Sequence, residues 1–409
     1  MTTSQNIVIV GAGLAGATAA ETLRSEGFEG PVTLLGEETA RPYERPPLSK
    51  TYLRQEDDFE SAAVHPADYY QENDIDLRTG TAVTAIDVSA STVEVSSGER
   101  IAYDRLLVAT GATPRLLTVP GSELDGVHYL RSVADADAIH KAITASMPVV
   151  VIGAGWIGCE VAASARQLGA DVTVIDIATV PLERVLGTEV GTIYRDLHAD
   201  QGVQFRLGVG IESIGGAGRV EEIRLTDGTA LPAGVVVAGI GVLPRTDIAE
   251  GAGLQLENGI VTDQYLATSV AGIYAAGDVA NAFHPTYGRR VRLEHWSSAL
   301  NQGPVAAINL LGKPTAYEKL PYFFSDQYDF GMEYRGLAVD PDEVVFRGST
   351  TQREFIAFWL HQGRVMAAMN ANIWDQGEQM EELIASGARV EPPRLADTDI
   401  ELRSLIQPR

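Results

Sequence analysis

Cysteine is almost missing from this chain, with one residue, Cys159, among 409. A single cysteine makes no intrachain disulfide and no multi-cysteine metal or iron–sulfur site, so no resident metal is expected. Basic residues are also scarce, 31 Lys and Arg against 55 Asp and Glu, for a net charge of −24. That balance argues against nucleic acid and anionic membranes as partners, because both are polyanions. A small acidic protein would need only a local basic patch. Arg289, Arg290 and Arg292 form the densest one, with a plain solvated loop as the other reading. No run of 18 apolar residues occurs, so a spanning helix is not expected. No basic segment precedes the first apolar stretch, which argues against a secretory signal and for a cytoplasmic setting.

What the chain does have is the same device twice, 142 residues apart. Ile7-Val-Ile-Val10 runs into Gly11-Ala-Gly13-Leu-Ala-Gly16, and Val149-Val-Val-Ile152 runs into Gly153-Ala-Gly155-Trp-Ile-Gly158. In a G-x-G-x-x-G turn the first glycine permits the tight strand-to-helix turn. The second lets a pyrophosphate approach bare backbone, and the third lets helix and strand pack closely. Each copy has an acid where the next strand should end, Glu37 after Val32–Leu35 and Asp176 after Val172–Ile175. A carboxylate there accepts hydrogen bonds from an adenosine ribose. Two complete units imply two dinucleotides bound at once. Asp176 also repels a 2′-phosphate, and Ile177-Ala-Thr-Val180 offers no cation to hold one, which favours NADH over NADPH. Cys159 follows the second turn. Its place near a helix N-terminus could lower its thiol pKa, while the plainer reading is a small residue chosen for packing.

The pattern of elements predicts an α/β protein with two Rossmann-like domains and a smaller third. Leu106-Leu-Val-Ala-Thr-Gly111 closes the first block, and Val235-Val-Val-Ala-Gly-Ile-Gly-Val242 closes the second in parallel fashion. Helices are expected near 158–169 and 189–202. Then Gly272–Asp278 forms one more apolar strand ending on an acid, followed by a helix over about 297–311. This reads as the chain returning to finish the first domain, with the second inserted in it. The expected division is 1–116 with 245–320, then 117–244, then 321–409 as a small C-terminal α+β domain with aromatic strands.

Arg45-Pro-Pro-Leu-Ser-Lys50, Val291-Arg-Leu-Glu-His-Trp296 and Ala299-Leu-Asn-Gln-Gly303 together resemble one family. It is the FAD-dependent NADH:ferredoxin reductases of oxygenase systems, the putidaredoxin reductase and biphenyl-dioxygenase reductase group, with apoptosis-inducing factor as a distant relative. Ala109–Arg115 and Ala276–Val279 are shared with the broader glutathione-reductase-like superfamily and support the fold. The resemblance implies FAD on the first domain, with Gly11, Gly13, Ala15 and Gly16 at its pyrophosphate and Glu37 at its ribose. It also implies Arg45 and Lys50 along the FAD, Val83 at the adenine side and Arg131 near the domain crossover. Asp278 would bind the ribityl or pyrophosphate region, and Trp296 would cover the flavin's pyrimidine side. Gly153, Gly155, Ile157 and Gly158 would cradle the nicotinamide dinucleotide, with Asp176 on its ribose. Glu160 would approach both the nicotinamide amide and Lys50. One departure stands out: the group often has tryptophan in a Trp-Ser-Asp-Gln stretch where this chain has Phe324-Ser-Asp-Gln327.

Hydride transfer onto a flavin gains from a cation near the ring, the role implied for Lys50, and a carboxylate beside it would keep that lysine charged and placed. The alternative makes Lys50 a surface lysine and Glu160 a helix-dipole carboxylate. The Pro-rich stretch holds Leu48 and Ser49, with no cysteine, so electron exit through a thiol is not expected. A one-electron carrier then suits the flavin, and the resemblance implies a small [2Fe–2S] ferredoxin feeding a P450 or Rieske-type oxygenase. Two other readings stay open: an NADH oxidase or quinone reductase with a diffusible acceptor, and a redox-sensing interaction protein. The protein is expected to be a monomer or a homodimer.

Overall fold

The computed structural model describes residues 5–143 and 148–406, which form two compact units. The first comprises the chain up to Glu44, Phe59–Thr113 and Val242–Pro321. Its centre is a five-stranded parallel sheet in the order Ile273–Ala275, Arg105–Val108, Ile7–Val10, Val32–Leu35 and Ile75–Arg78. Ile7–Val10 and Val32–Leu35 are buried along their whole length, as parallel strands covered on both faces must be. Ile273–Ala275 pairs in parallel with Arg105–Val108, so the chain does return to this sheet after residue 242. Helix Leu14–Ser25 lies against helix Trp296–Leu310, where Gly303 permits the approach. A Cβ at Gly303 would stand 2.2 Å from Thr18 Oγ1 and 2.4 Å from Ala15 O.

The second unit comprises Arg45–Asp58, Pro114–Gly241 and the chain from Tyr322 on. Its parallel sheet runs Gln204–Leu207, Asp171–Asp176, Pro148–Ile152, Val235–Ala238 and Val127–His128. Each unit also carries a three-stranded antiparallel meander, Val83–Asp87 with Thr92–Val95 and Arg100–Ala102, and Ile211–Gly215 with Glu222–Leu225 and Ala230–Pro232. The duplication thus extends well beyond the two turns. A five-stranded antiparallel sheet spans Tyr322–Gln327, Phe330–Gly336, Arg364–Ala371, Glu354–His361 and Glu343–Ser349, and helix Gly377–Ser386 packs on it through Met380, Leu383 and Ile384. Aromatic rings tie this sheet to the rest of the unit. Trp156 stands 4.3 Å from Phe323 and 5.9 Å from Tyr194, and Trp359 Nε1 donates to Leu186 O at 3.2 Å.

Two local expectations need correction. The helix expected near 189–202 spans Glu183–Asp200, with non-helical Gly187 (φ 77°) inside it. The glycine hid the first turn, where Glu183 ties the helix start to the preceding loop by accepting from Thr179 N (2.8 Å) and Oγ1 (3.0 Å). The basic cluster is not a loop either: Arg289–Val291 is a strand paired with Ala280–His284. Arg289 and Arg290 are exposed, whereas Arg292 pairs with Glu294 at 2.6 Å and donates to Asp278 O at 3.2 Å.

Candidate functional site

The two glycine turns repeat each other contact by contact. Gly11 N donates to Leu35 O and Gly153 N to Ile175 O, both at 2.8 Å. Gly11 has φ +114° and Gly153 φ +100°, and a Cβ there would sit 2.1 Å from Ala109 O or 2.4 Å from Gly239 O. A Cβ at Gly16 would stand 2.0 Å from Gly11 O, and one at Gly158 1.9 Å from Gly153 O. The first and third glycines are therefore demanded by the chain's own packing. The second is not: among the described residues, a Cβ at Gly13 or Gly155 meets no non-neighbouring atom within 4 Å. Both glycines are helix N-caps in extended conformation, and neither helix has an acid in its first turn. Bare backbone at the positive end of a helix fits a dinucleotide pyrophosphate in each case.

The flanking acids have different partners. Glu37 is paired with Arg245 at 2.5 Å. Asp176 accepts from Ala154 N at 2.5 Å and Ala178 N at 2.7 Å, which holds its carboxylate against the second turn. In the first unit Gly277, next to Asp278, donates its N–H to Gln302 Oε1 at 2.8 Å. A Cβ on Gly277 would stand 3.2 Å from that of Ala15, so Asp278 lies close to the first turn. Trp296 opens helix Trp296–Leu310 and is half-buried. The segment leading to Val83 is tied to the acidic loop by Thr81 N donating to Gly36 O at 2.7 Å and Gly80 N to Glu38 O at 2.8 Å.

Lys50, Glu160, Arg45, Arg131, Gly153, Gly155, Ile157, Gly158 and Asp176 all belong to the second unit. Pro46–Ser49 forms a single 3-10 turn led by proline, and Lys50 caps it. The segment is anchored by Arg54 Nη1 to Ser164 (3.2 Å), Tyr52 OH to Asp137 (3.2 Å) and the ring of His140 to Leu53 O (2.8 Å). Arg45 donates to Arg131 O. Lys50 is 9% exposed, so it is no surface lysine, and Glu160 is 4% exposed. Their ion pair is 2.8 Å long, and Lys50 Nζ also donates to Pro46 O at 2.9 Å. Glu160 Oε2 accepts from Ser49 Oγ at 2.5 Å, and its Oε1 from Ser325 Oγ at 2.7 Å. A buried pair whose lone pairs are met in this way can hold its charges. The Phe324 ring lies 5.8 Å from Lys50 Nζ. Burial pushes the Asp326 carboxyl above its ordinary range, with Glu160 and Glu333 adding to the effect and Lys50 opposing it.

Ser49, Ser325, Gln327 and His198 were not singled out from the sequence. The available signal was the period of two in Ser325-Asp-Gln327, which puts both polar side chains on one face of a strand. His198 is fully buried, and its Nε2 lies 2.7 Å from Gln327 Oε1. Burial lowers its pKa from 6.5 to about 4, with the contact to Gln327 opposing. Between those values the unfolded chain binds a proton that the folded chain refuses. This contribution is therefore complete above pH 6.5 and is lost as pH falls toward 4. Denaturant titrations of wild type and His198→Asn should diverge by about 3 kcal/mol over that window. Parallel stability curves would contradict this account of His198. Cys159 is fully buried with Sγ 3.6 Å from Ala154 O, and burial pushes its thiol up, so the packing reading holds.

Among the described residues no helix is long and apolar enough to cross a membrane. Residues 5–303 match the pyridine nucleotide-disulphide oxidoreductase family, and residues 322–406 the reductase C-terminal family. Rhodocoxin reductase of Rhodococcus erythropolis is 40% identical over 98% of this chain and 94% of its own. The ferredoxin–NAD(+) reductase component of the anthranilate 1,2-dioxygenase system of Burkholderia cepacia is 41% identical over 98% of both chains. Among solved structures, the covalent putidaredoxin reductase–putidaredoxin complex matches with a TM-score of 0.95 at 39% identity, covering 98% of both chains.

Proposed function

Because this chain belongs to the pyridine nucleotide-disulphide oxidoreductase family, and is similar along its whole length to ferredoxin reductases of oxygenase systems, we propose that it is an FAD-dependent NADH:ferredoxin reductase. It hands electrons singly to a small [2Fe–2S] ferredoxin that serves a P450 or a Rieske-type oxygenase, in the cytoplasm. The observation that carries this reading is the pair of glycine cradles, each with a second glycine that the protein's own packing does not require. The lone, buried thiol supports a route without sulfur.

In this reading residues 1–116 and 245–320 bind FAD, residues 117–244 bind NADH, and 321–409 form the C-terminal domain. Bound FAD supplies a ring that accepts hydride from NADH and releases electrons one at a time. Gly13, Ala15 and Gly16 would present backbone N–H groups to its pyrophosphate, and Gly11, whose own N–H is bonded to Leu35 O, would make the turn that lets the pyrophosphate approach. Asp278 would meet the ribityl or pyrophosphate region, and Glu37 and Val83 the adenosine end. Trp296 covers the pyrimidine side, and Arg45 and Arg131 hold the cofactor's length. Gly153, Gly155, Ile157 and Gly158 cradle NADH, with Asp176 on its ribose. Lys50 sets a positive charge beside the reacting ring, and Glu160 holds that charge in place and orients the nicotinamide amide.

The test is reduction of cytochrome c by the FAD-loaded protein and NADH. The rate should depend on added [2Fe–2S] ferredoxin; equal rates without ferredoxin would instead mean a diffusible acceptor. Specificity for NADH should rest on Asp176, beside the exposed Ile177. Replacing these by serine and arginine (D176S/I177R) should narrow the NADH/NADPH ratio of kcat/KM by about tenfold or more. An unchanged ratio would remove Asp176 from the ribose site.

A further inference from the structure

Glu160 is supplied with donors from two sides. Ser49 and Lys50 meet Oε2, while Oε1 is met by Ser325 Oγ at 2.7 Å. A serine hydroxyl has a single proton, and a carboxylate only accepts, so Ser325 gives that proton to Glu160. Ser325 must then be the acceptor in its 3.1 Å contact with Gln327, which donates through its NH2 group. The amide oxygen of Gln327 therefore faces His198 Nε2, at 2.7 Å, and that nitrogen must carry the ring proton. Nδ1 is left to accept, and the hydroxyl of Tyr328 lies 3.3 Å from it. Proton counting fixes the direction of every bond from Tyr328 to Glu160.

We propose that Tyr328, His198, Gln327 and Ser325 form a one-way chain of donors that aims the Glu160 carboxylate at Lys50, with Ser325, Gln327 and His198 as positioning residues. The proposal rests on the reading that Lys50 and Glu160 serve the reaction. Three links of this chain, Ser325, Gln327 and His198, are no more than 1% exposed. A run of buried polar side chains costs desolvation that apolar residues of similar size would avoid, so a packing role alone is a poor account of it. His198 can hold the required neutral tautomer because burial disfavours its cationic form. Protonation would remove the acceptor that Tyr328 uses. No link can reverse without leaving one buried group unpaired. The chain also joins two distant stretches of sequence, helix Glu183–Asp200 and strand Tyr322–Gln327, to the one carboxylate.

The test is anaerobic stopped-flow reduction of the FAD-loaded full chain by NADH, following flavin absorbance across NADH concentrations. Ser325→Ala and Gln327→Leu should each lower the limiting rate roughly tenfold while the half-saturating NADH concentration moves little. In a Glu160→Gln background, itself slow, the same two substitutions should change the rate less than about twofold, because their route of action is already gone. His198→Phe should behave like Gln327→Leu. Thermal midpoints are recorded for each variant, and Ser325→Ala, the smallest change, keeps the test usable if another variant folds poorly. Full-sized effects persisting in the Glu160→Gln background would overturn the chain, since they would be merely structural. Wild-type rates in Ser325→Ala and Gln327→Leu beside a slow Glu160→Gln would overturn it too, and would leave the role of Glu160 standing. A wild-type rate in Glu160→Gln alone would instead remove the reading on which the chain depends, and the chain with it.

Discussion

Lys50→Met should lower the limiting rate of flavin reduction by NADH between about a hundredfold and a thousandfold, with NADH affinity little changed. A preorganised charge beside the place where negative charge develops contributes about 3–4 kcal/mol to such a step. Binding of the ground state does not draw on it, so kcat should fall and KM should not. The variant has a second effect that must be separated from the first. Removing one member of a buried ion pair costs about 3–5 kcal/mol of stability, because the other is left buried without its partner. Among the described residues Glu160, 4% exposed, would keep Ser49 and Ser325 as its side-chain donors. The double variant Lys50→Met/Glu160→Gln removes both charges and should regain most of the lost stability and none of the lost rate. Recovery of the rate together with stability would mean that the lysine is a structural cation only.

Gly11→Ala should give protein that neither folds to wild-type stability nor retains FAD, while Gly13→Ala should fold normally and bind FAD at least about tenfold more weakly. The two positions are two residues apart in the same turn and differ in what surrounds them. A Cβ on Gly11 meets Ala109 O at 2.1 Å and Ala109 C at 2.5 Å, at a backbone φ of +114°. Neither side can give way: Gly11 N is bonded to Leu35 O at 2.8 Å and Ala109 N to Val10 O at 2.7 Å. Strain and collision together cost about 3 kcal/mol or more. Gly13 has φ −88° and ψ −169°, a conformation open to any residue, and among the described residues a Cβ there meets no non-neighbouring atom within 4 Å. Packing among the described residues does not require glycine there, whereas close approach of a cofactor would. Gly27→Ala is the control, with φ +81° and no neighbour within 4 Å, so it carries backbone strain without collision or ligand. Wild-type FAD affinity in Gly13→Ala would remove the first turn from the cofactor site.

The glycine turns were legible in the sequence because each constraint acts within a few residues or between adjacent strands. The return of Ile273–Ala275 to the first sheet could be read from an apolar strand that began no third unit. Lys50 and Glu160 are 110 positions apart, and nothing local relates them; only the resemblance to a family suggested that they meet. His198 and Gln327, 129 positions apart, had no such hint. A buried histidine on a helix looks like any other half-apolar residue until the strand opposite it is known. The start of helix Glu183–Asp200 was missed for a different reason, since Gly187 suggests a terminus where the chain only kinks.

The order of strands in the two parallel sheets has a consequence for synthesis on the ribosome. The five strands of the second unit's sheet all lie between Val127 and Ala238, so that sheet can close as soon as this stretch has emerged. The other sheet begins with Ile7–Val10 and lacks an edge until Ile273–Ala275 is made, and helix Leu14–Ser25 waits longer still for Trp296–Leu310. Of the two parallel sheets, the one begun first is therefore completed last. Until then its nascent strands carry an open apolar edge, which makes this interval the one in which a chaperone has most to do.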